Sequence, residues 1–549
     1  MKTLRLAILS IFLMLIPAYS FASDLGDLRV SLIEGDVQVR PADTSDWVPA
    51  SINLPLREGD SIWVPAESRV ELQLMDGTFV RLDQYSSLDI LRLDRDSSQF
   101  YLAEGSAYVN SPGHGANLVQ IDSPGSSARG YGKVIFRIDV TQEGDTEISA
   151  LRGSVLAENR MGRTTISEGK SLSLRDDNHA ELLPLGRADD WERWNRERDE
   201  KIAERRYSAR YLPDTLDPYS YELDNYGKWV YESDYGYVWT PTVSVSAGWT
   251  PYRNGRWVWI GSDYVWISYD PWGWVPFHYG RWSFSASIGW CWVPPARNAV
   301  YWGPGYVGWV HTPSYVAWVP LAPGEVYYGY GNYGPHSVNI TNVNISSRHI
   351  NISYRNVRFS NAVTAISRDT FVGRRPIEVR LRENPFAQKS ATLGRPLIRP
   401  ERSAYIPVSK EIPRAKLPPA PIRELRVKQL RQERPLVKDR NASVLNPRAP
   451  QERMPVRTLS ERPAQTRPAG KAETPSRGQT IERGRTTPGG QVRTPSGTSQ
   501  GAPATRQQEI RRQETPPQRS IQQPAERNRR IEQPAPTPRQ QEKQQEIRR

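Results

Sequence analysis

The sequence predicts an all-β exported protein: two β domains joined by one helix and followed by a disordered tail. Three observations predict it. Residues 24–184 alternate apolar and polar positions, with a turn signal every ten or so residues. Residues 226–320 hold 14 of the 18 tryptophans, arranged in an internal repeat. From about residue 377 the core-forming side chains give out, and after 400 the chain has no Trp or Phe, one Tyr and 21 prolines. Such a segment buries too little apolar surface to offset its ordering entropy, so 377–549 is expected to be a disordered basic tail.

The N-terminus sets the compartment. Lys2 and Arg5 precede an apolar run, Leu6 to Ile16, which is followed by Pro17 and the small-residue pattern Ser20-Phe21-Ala22. Residues 1–22 therefore read as a secretory signal peptide cut after Ala22. The run is well short of the roughly 20 apolar residues that span a bilayer, which favours cleavage over retention as an anchor, and no later stretch reaches that length. Cys291 stands alone, where a chain exported through a eukaryotic route would carry cysteines at disulfide spacing. The expected location is the periplasm, the outside or the outer envelope of a bacterium. The net charge of +13 is uneven: residues 401–549 carry 32 Lys and Arg against 15 Asp and Glu, or +17, which leaves 41 against 45, or −4, for residues 1–400.

Within 24–184, Val30 and Leu32, the turn Glu34-Gly35-Asp36, then Val37 and Val39 suggest a first hairpin. In the run Val70 to Leu82 a two-residue Asp76-Gly77 turn would set Leu72 opposite Arg81. A three-residue loop, Met75 to Gly77 with Gly77 left-handed, pairs Leu72 with Val80, Val70 with Leu82 and Glu71 with Arg81. The second register sorts apolar from charged and is preferred. These residues resemble the FecR-type domain of bacterial envelope signalling proteins. The resemblance rests on Leu56-Arg57-Glu58-Gly59-Asp60-Ser61-Ile62, Ser68 to Leu72, Asp76-Gly77 with Arg81-Leu82, Leu102-Ala103-Glu104-Gly105 and Ile121 to Gly125. It implies a compact all-β sandwich or roll.

Residues 187–212 turn strongly charged, with Asp189 as a plausible N-cap and acids behind it, so one connecting helix is expected there, closed by Pro213 and Pro218. In 226–325, Gly227-Lys228-Trp229, Gly255-Arg256-Trp257 and Gly280-Arg281-Trp282 recur at spacings of 28 and 25 residues, and Trp-x-Pro recurs at Trp239, Trp249, Trp274, Trp292 and Trp318. Aromatic enrichment with Gly/Pro punctuation makes the unit a β-hairpin, three of which would form a small sheet assembly. The pattern resembles a Trp-rich bacterial domain of unknown function that commonly follows a FecR-type domain. Ala317 to Glu325 resembles its end, and an Asn-rich trailer follows over 336–376.

Enzyme signatures mostly fail. Gly303 to Gly308 and Gly329 to Gly334 match G-x-G-x-x-G, but neither lies between a parallel strand and an opening helix. The six histidines lack metal-site spacing, and no cofactor is implied. Cys291 reads as a small buried hydrophobe. A glycan hydrolase would need paired carboxylates, and Glu232, Asp234, Asp263 and Asp270 show no pairing. Two readings of the repeat stay open. Its indoles form a core, or Trp229, Trp257, Trp259 and Trp282 line an aromatic binding face with Arg256 and Arg281 at its rim. Alternation sets Trp257 and Trp259 on one side of a strand and Arg256 and Val258 on the other. The tail suits an anionic surface such as lipid headgroups or acidic polysaccharide. Nucleic acid is not expected, because export removes the chain from it and the tail lacks interleaved aromatics. The expected function is a non-enzymatic envelope binding or scaffold protein with protein or glycan partners. The alternative is a regulator like the FecR proteins, which bridge an outer-membrane receptor to a cytoplasmic sigma factor. Even an uncleaved signal would leave about five residues in the cytoplasm, too few to fold around that factor.

Overall fold

A computed structural model describes residues 25–462, apart from 114–116, 176–178, 205, 246–247, 341–352, 360, 372–383, 388–391, 397, 399, 420–426 and 445–452. Residues 1–22, expected to be a signal peptide cut after Ala22, and the tail beyond 462 lie outside the described residues. Among the described residues no helix is long and apolar enough to cross a membrane.

Strands from Leu28–Glu34 to Ala180–Pro184 form two stacked sheets. One 16-residue strand, Ser97–Pro112, belongs to both. Its first half pairs with Ser86–Asp94 and Leu118–Asp122 in one sheet, and its second half with Phe79–Leu82 and Lys133–Val140 in the other. The crossing point is Gly105 at φ +94°, where a Cβ would lie 2.4 Å from the Cα of Ser86. A side chain there would both strain the backbone and push the layers apart. Alternate residues from both sheets, among them Leu72, Val80, Val109 and Ile138 from one and Ile62, Leu88, Phe100 and Ile121 from the other, make a continuous buried core.

The Val70 to Leu82 hairpin has the three-residue loop, with Val70 opposite Leu82, Glu71 opposite Arg81, Leu72 opposite Val80, and Gly77 at φ +86°. The expected first hairpin does not form. Leu28–Glu34 pairs with Pro55–Leu56 and Arg69–Leu74, whereas Gln38–Arg40 pairs with Val48–Pro49 and Ser61–Val64 in the opposite sheet. The turn at Gly35 carries the chain between layers, because both flanking strands have apolar residues to bury and the interior lies between the sheets.

The connecting helix, α1 (Asp190–Glu204), begins where its cap places it: Asp189 Oδ1 accepts the backbone N–H of Glu192 at 2.8 Å. It ends at Glu204 rather than near 212. Two 3₁₀ segments, Tyr207–Tyr211 and Asp214–Tyr219, lead into a second helix, α2 (Ser220–Tyr226). Together these cover the outer face of one sheet, which is polar. Arg81 is closed in by Glu71 at 2.7 Å and Asp199 of α1 at 2.6 Å, Arg198 of α1 reaches Glu71 at 2.8 Å, and Arg29 pairs with Glu222 of α2. Burial alone would raise Glu71, but Arg81 and Arg198 outweigh it and bring its carboxyl down to about 2.

The Trp-rich region forms four hairpins where three are expected: Gly227–Glu232 with Gly236–Pro241, Gly255–Ile260 with Asp263–Ser268, Arg281–Ser285 with Gly289–Val293, and Val307–His311 with Tyr315–Pro320. The first and third share a sheet. The fourth is extended by Thr364–Ser367 from the Asn-rich trailer and by Thr392–Leu393 beyond it. Of the chain beyond 377, expected to be disordered, the described residues include ordered stretches. Its described stretches lie along the body through Arg395 on Asp263 at 2.7 Å, Arg402 on Asp46 at 2.8 Å, Lys438 on Asp96 at 2.7 Å and Arg462 on Glu147 at 2.7 Å. Composition alone hides this, because the segment is ordered by contacts to the body and not by a core of its own.

Glu71→Ala is expected to cost about 3–5 kcal/mol, the range for stripping the partner from a buried ion pair, since Arg81 and Arg198 would lose their common carboxylate. Because the folded carboxyl lies below its usual 4.5, this contribution is complete above pH 4.5 and is lost as pH falls toward 2. Chemical denaturation of both proteins at pH 7 checks the first claim. A wild-type series from pH 5 to 2.5 checks the second.

Candidate functional site

Each hairpin sets one tryptophan directly across from another: Trp229 from Trp239, Trp257 from Trp266, Trp282 from Trp292 and Trp309 from Trp318. The repeat glycine two residues before the first member explains itself by close approach. A Cβ on Gly227 would meet the Trp239 ring at 2.4 Å, on Gly255 the Trp266 ring at 2.7 Å, and on Gly280 the Trp292 ring at 2.7 Å. The indole of the second strand lies across the glycine of the first. In the fourth hairpin Val307 takes the glycine's place, which is why the sequence repeat stops at three. Of the Trp-x-Pro elements, those at Trp239, Trp292 and Trp318 lie on second strands, whereas Trp249 and Trp274 lie between hairpins.

The six expected face residues are divided by the fold. Trp257 and Trp282 are enclosed. Trp257 lies 4.4 Å from Trp309 and 5.3 Å from Trp266 between ring centroids, and Trp282 donates its Nε1–H to Pro276 O at 2.8 Å. Neither can belong to an open platform. Arg256 is buried and donates to Ser403 O at 3.1 Å, while Arg281 lies 3.7 Å over the Tyr306 ring. Trp259 is half-buried beneath Arg395, at 5.1 Å. Trp229 is half-buried and lies at the edge of a different surface.

That surface is the outer end of the first hairpin. Trp239, Trp229, Tyr237 and Tyr231 share one face of the two strands. The stripe begins in the core at Trp239 and ends in solvent, with Tyr237 50% and Tyr231 67% exposed. Tyr211 stacks on Trp229 at 4.7 Å and meets Tyr237 at 4.6 Å. Tyr207, 53% exposed, adjoins Tyr211 and carries the Arg210 guanidinium 4.0 Å over its ring. The Trp229 indole is fixed beneath by its Nε1–H to Ser208 Oγ at 2.8 Å. Five rings and a cation thus form one contiguous aromatic surface, where lone exposed tyrosines would mean nothing. Tyr207 and Tyr211 lie in the stretch expected to be the end of the helix, so the sequence repeat gave no sign of them.

The other chemistry-bearing groups are occupied in the structure. Cys291 is buried, its thiol pushed up to about 12 by burial, and it donates to Ser283 O. Asp263 is held by Arg395, Asp270 accepts from Asn254 at 2.9 Å, and Glu232 accepts the N–H of Asp234 at 2.8 Å. Both G-x-G-x-x-G strings lie on strands and loops. Among the described residues no cluster of His, Cys, Asp and Glu could hold a metal. His278, in helix α3 (Trp274–His278), is fully buried, stacks on Trp302 at 5.2 Å, and donates from Nδ1 to Gly303 O at 2.8 Å. Burial brings its pKa down to about 4.

Fold and surface together define a two-part β protein, a sandwich carrying an array of Trp-paired hairpins. More particularly, it contains a FecR domain and a domain of unknown function. The family model described as FecR protein matches residues 60–156, and the model described as Family of unknown function (DUF6600) matches residues 220–325. The sandwich extends beyond the first match at both ends, while the second takes in α2 and all four hairpins. Two crystal structures of a candidate anti-sigma factor from Parabacteroides distasonis ATCC 8503 are similar at 18% identity over 23% of this chain and 59% of theirs, with a TM-score of 0.21. This chain thus spans 59% of the length of that protein. No curated protein matches.

Two outcomes follow from the packing. Gly255→Ala forces a methyl against the Trp266 ring and the Ile267 carbonyl and is expected to cost at least about 1–3 kcal/mol, the usual range for overpacking, read as a lowered thermal midpoint and a weakened near-UV Trp signal. His278 is neutral in the fold with its pKa below 6.5. Its contribution is therefore complete above pH 6.5 and lost as pH falls toward 4, about 3 kcal/mol at 1.36 per unit. Asp60, pushed up to about 6 by burial, acts in the opposite sense between pH 3.8 and 6. The measurement is accordingly the difference in unfolding free energy between wild type and His278→Gln across pH 7 to 4, which should shrink on acidification.

Proposed function

We propose that this chain is a non-enzymatic binding protein of the bacterial envelope that holds glycan on the aromatic surface of its first hairpin. The observation that carries the reading is the stripe from Trp239 through Trp229 to Tyr237 and Tyr231, which leaves the core and ends in solvent with its rings already ordered against Tyr211. Flat, pre-stacked rings offer apolar area at little entropic cost, and the C–H face of a sugar ring fits such a surface. Arg210 and the Tyr207 and Tyr211 hydroxyls, 3.0 Å apart, supply hydrogen bonds at its margin. The signal sequence at 1–22 supports export, and the excess of basic residues beyond 401 supports a salt-sensitive attachment to anionic envelope polymers.

A regulator of the FecR kind is the second reading, favoured by the match at 60–156; it predicts capture of an envelope receptor in place of glycan. The test is retention of the full chain on purified peptidoglycan and on outer-membrane fractions at low and high salt. Tyr231→Ala with Tyr237→Ala is expected to lower retention on glycan at least tenfold with an unchanged melting temperature. Retention equal to wild type, or no retention of wild type on any envelope fraction, overturns the proposal.

A further inference from the structure

The two sheets of the sandwich hide their outer faces in different ways. One lies under α1 and α2. The other carries a row of buried polar side chains, Gln99, Gln120, Asp122, Arg129 and Glu158, on four neighbouring strands. What covers this row is the chain's own residues 427–444, whose contacts to it span 285 to 335 positions of sequence.

The contacts between them follow a pattern. Gln120 donates to Pro435 O at 3.2 Å and accepts from the N–H of Val437 at 3.4 Å, a pairing like that of a neighbouring strand. Gln99 donates to Arg434 O. Arg129 donates to the carbonyls of Val437, Asp439 and Ala442 at 3.4, 3.3 and 3.1 Å. Glu158 accepts the N–H of Val444 at 3.0 Å. Side chains on the sheet therefore hold the main chain of the strap, while several of its own side chains reach the margins of the sandwich: Arg431 donates to Glu58 at 2.7 Å, Lys438 to Asp96 at 2.7 Å and Ser443 to Glu158, and Arg440 lies 4.5 Å over the Tyr131 ring. Two buried side chains anchor its N-terminal half. Leu430, on the helical turn Val427–Glu433, is buried against Leu91, Tyr101 and Ala103, and Arg434 donates to Pro124 O at 3.0 Å.

An element that served only to complete the core would bury apolar side chains and could not be removed without exposing them. Here most side chains from Lys428 to Ser443 are exposed or half-buried, and apart from the small apolar patch under Leu430 the face beneath consists of groups that water can solvate. Such a face can exist open as well as covered. We propose that it is a binding site for an extended peptide of another protein, one with a leucine on a helical turn followed by an Arg-Pro segment, and that residues 427–444 are a tethered competitor for it. Recognition through main-chain groups tolerates varied sequence between the two anchors, as in strand-addition complexes. Tethering gives the resident strap an effective concentration in the millimolar range, so a free peptide meets an occupied site until the strap is weakened.

The test uses the full chain and a fluorescent synthetic peptide of residues 427–444, read by anisotropy. Leu430→Asp with Arg434→Ala releases the strap without touching the sheet. This chain is expected to bind the peptide at least tenfold more tightly than wild type, and adding Gln120→Ala is expected to weaken that binding at least fivefold. A released chain that melts like wild type and binds no more tightly, or one indifferent to Gln120→Ala, overturns the proposal. Should the released chain not fold, amide exchange of wild type decides. Several millimolar peptide is expected to speed exchange at Val437 and Val444 at least threefold, and unchanged rates overturn it.

Discussion

The second hairpin is the constraint on which the rest of the structure depends. Its strands, Trp257-Val258-Trp259-Ile260 and Tyr264-Val265-Trp266-Ile267, alternate aromatic and aliphatic residues in register. The aliphatic set, Val258, Ile260, Val265 and Ile267, lies in the core of the sandwich. Trp257, Tyr264 and Trp266 lie in the indole cluster with Trp309, Trp318 and Phe277, and Trp259 packs against it. A two-stranded ribbon is marginal on its own. This one is stabilised on both faces, and in return it makes two cores into one body. Polar bonds at its end tie it to the sandwich: Asn53 donates to the carbonyls of Ser268 and Asp270 at 3.1 and 2.8 Å.

This explains what the sequence revealed and what it did not. Alternation within Gly255 to Trp259 was legible and correctly separates Trp257 and Trp259 from Arg256 and Val258. What a period of two cannot tell is whether the second face meets water or another domain, because valine and isoleucine suit either a strand's exposed side or a second core. The Glu71–Arg81 pairing was legible for a related reason. Only one turn length sorts charge from apolar residues, and the fold adopts it. The first hairpin failed because Gly35 serves a crossing between layers as well as it serves a tight turn, and local sequence does not distinguish the two. The fourth hairpin was partly hidden because Val307 replaces the glycine that marks the other three.

Charge was the least legible property. The highly charged stretch at 187–212 looks like a solvated linker helix, and the tail like a polyelectrolyte, yet both supply partners for ionic groups buried on the sandwich. Arg29, Arg81 and Arg129 have fully enclosed side chains, each facing a carboxylate: Glu222, Glu71 and Glu158. Such pairs add little net stability against the cost of desolvation, but they punish any wrong pairing heavily. With Glu222 of α2 on Arg29, Asp199 and Arg198 of α1 on the Arg81–Glu71 pair, and the strap carbonyls on Arg129, their effect is to specify which segment lies on which face: α1 and α2 on one sheet, the strap on the other. Composition records the charges and not their addresses, so an excess of basic residues past 401 reads as disorder even where 427–444 is held at ten or more points.

The distribution of covered and open surface then follows from these addresses. The sandwich has both outer faces occupied by its own chain, and the second hairpin is closed on both sides. Trp282 and Trp292 of the third hairpin, and Trp309 and Trp318 of the fourth, are enclosed. In the first hairpin Trp239 is the only aromatic of its stripe that is fully enclosed, bonded through Nε1–H to Leu223 O of α2 at 3.0 Å. Beyond it the stripe runs past the edge of the shared sheet, which joins the first hairpin to the third at the single pairing of Trp239 with Trp292. The same cross-strand aromatic pairing that builds a core in the middle of the array therefore yields an ordered, open surface at its end, because no further hairpin follows to cover it. Tyr231 and Tyr237 stand where the next layer of indoles would be, and replacing tryptophan by tyrosine at those two positions puts a hydroxyl at the boundary with water, where it can be solvated.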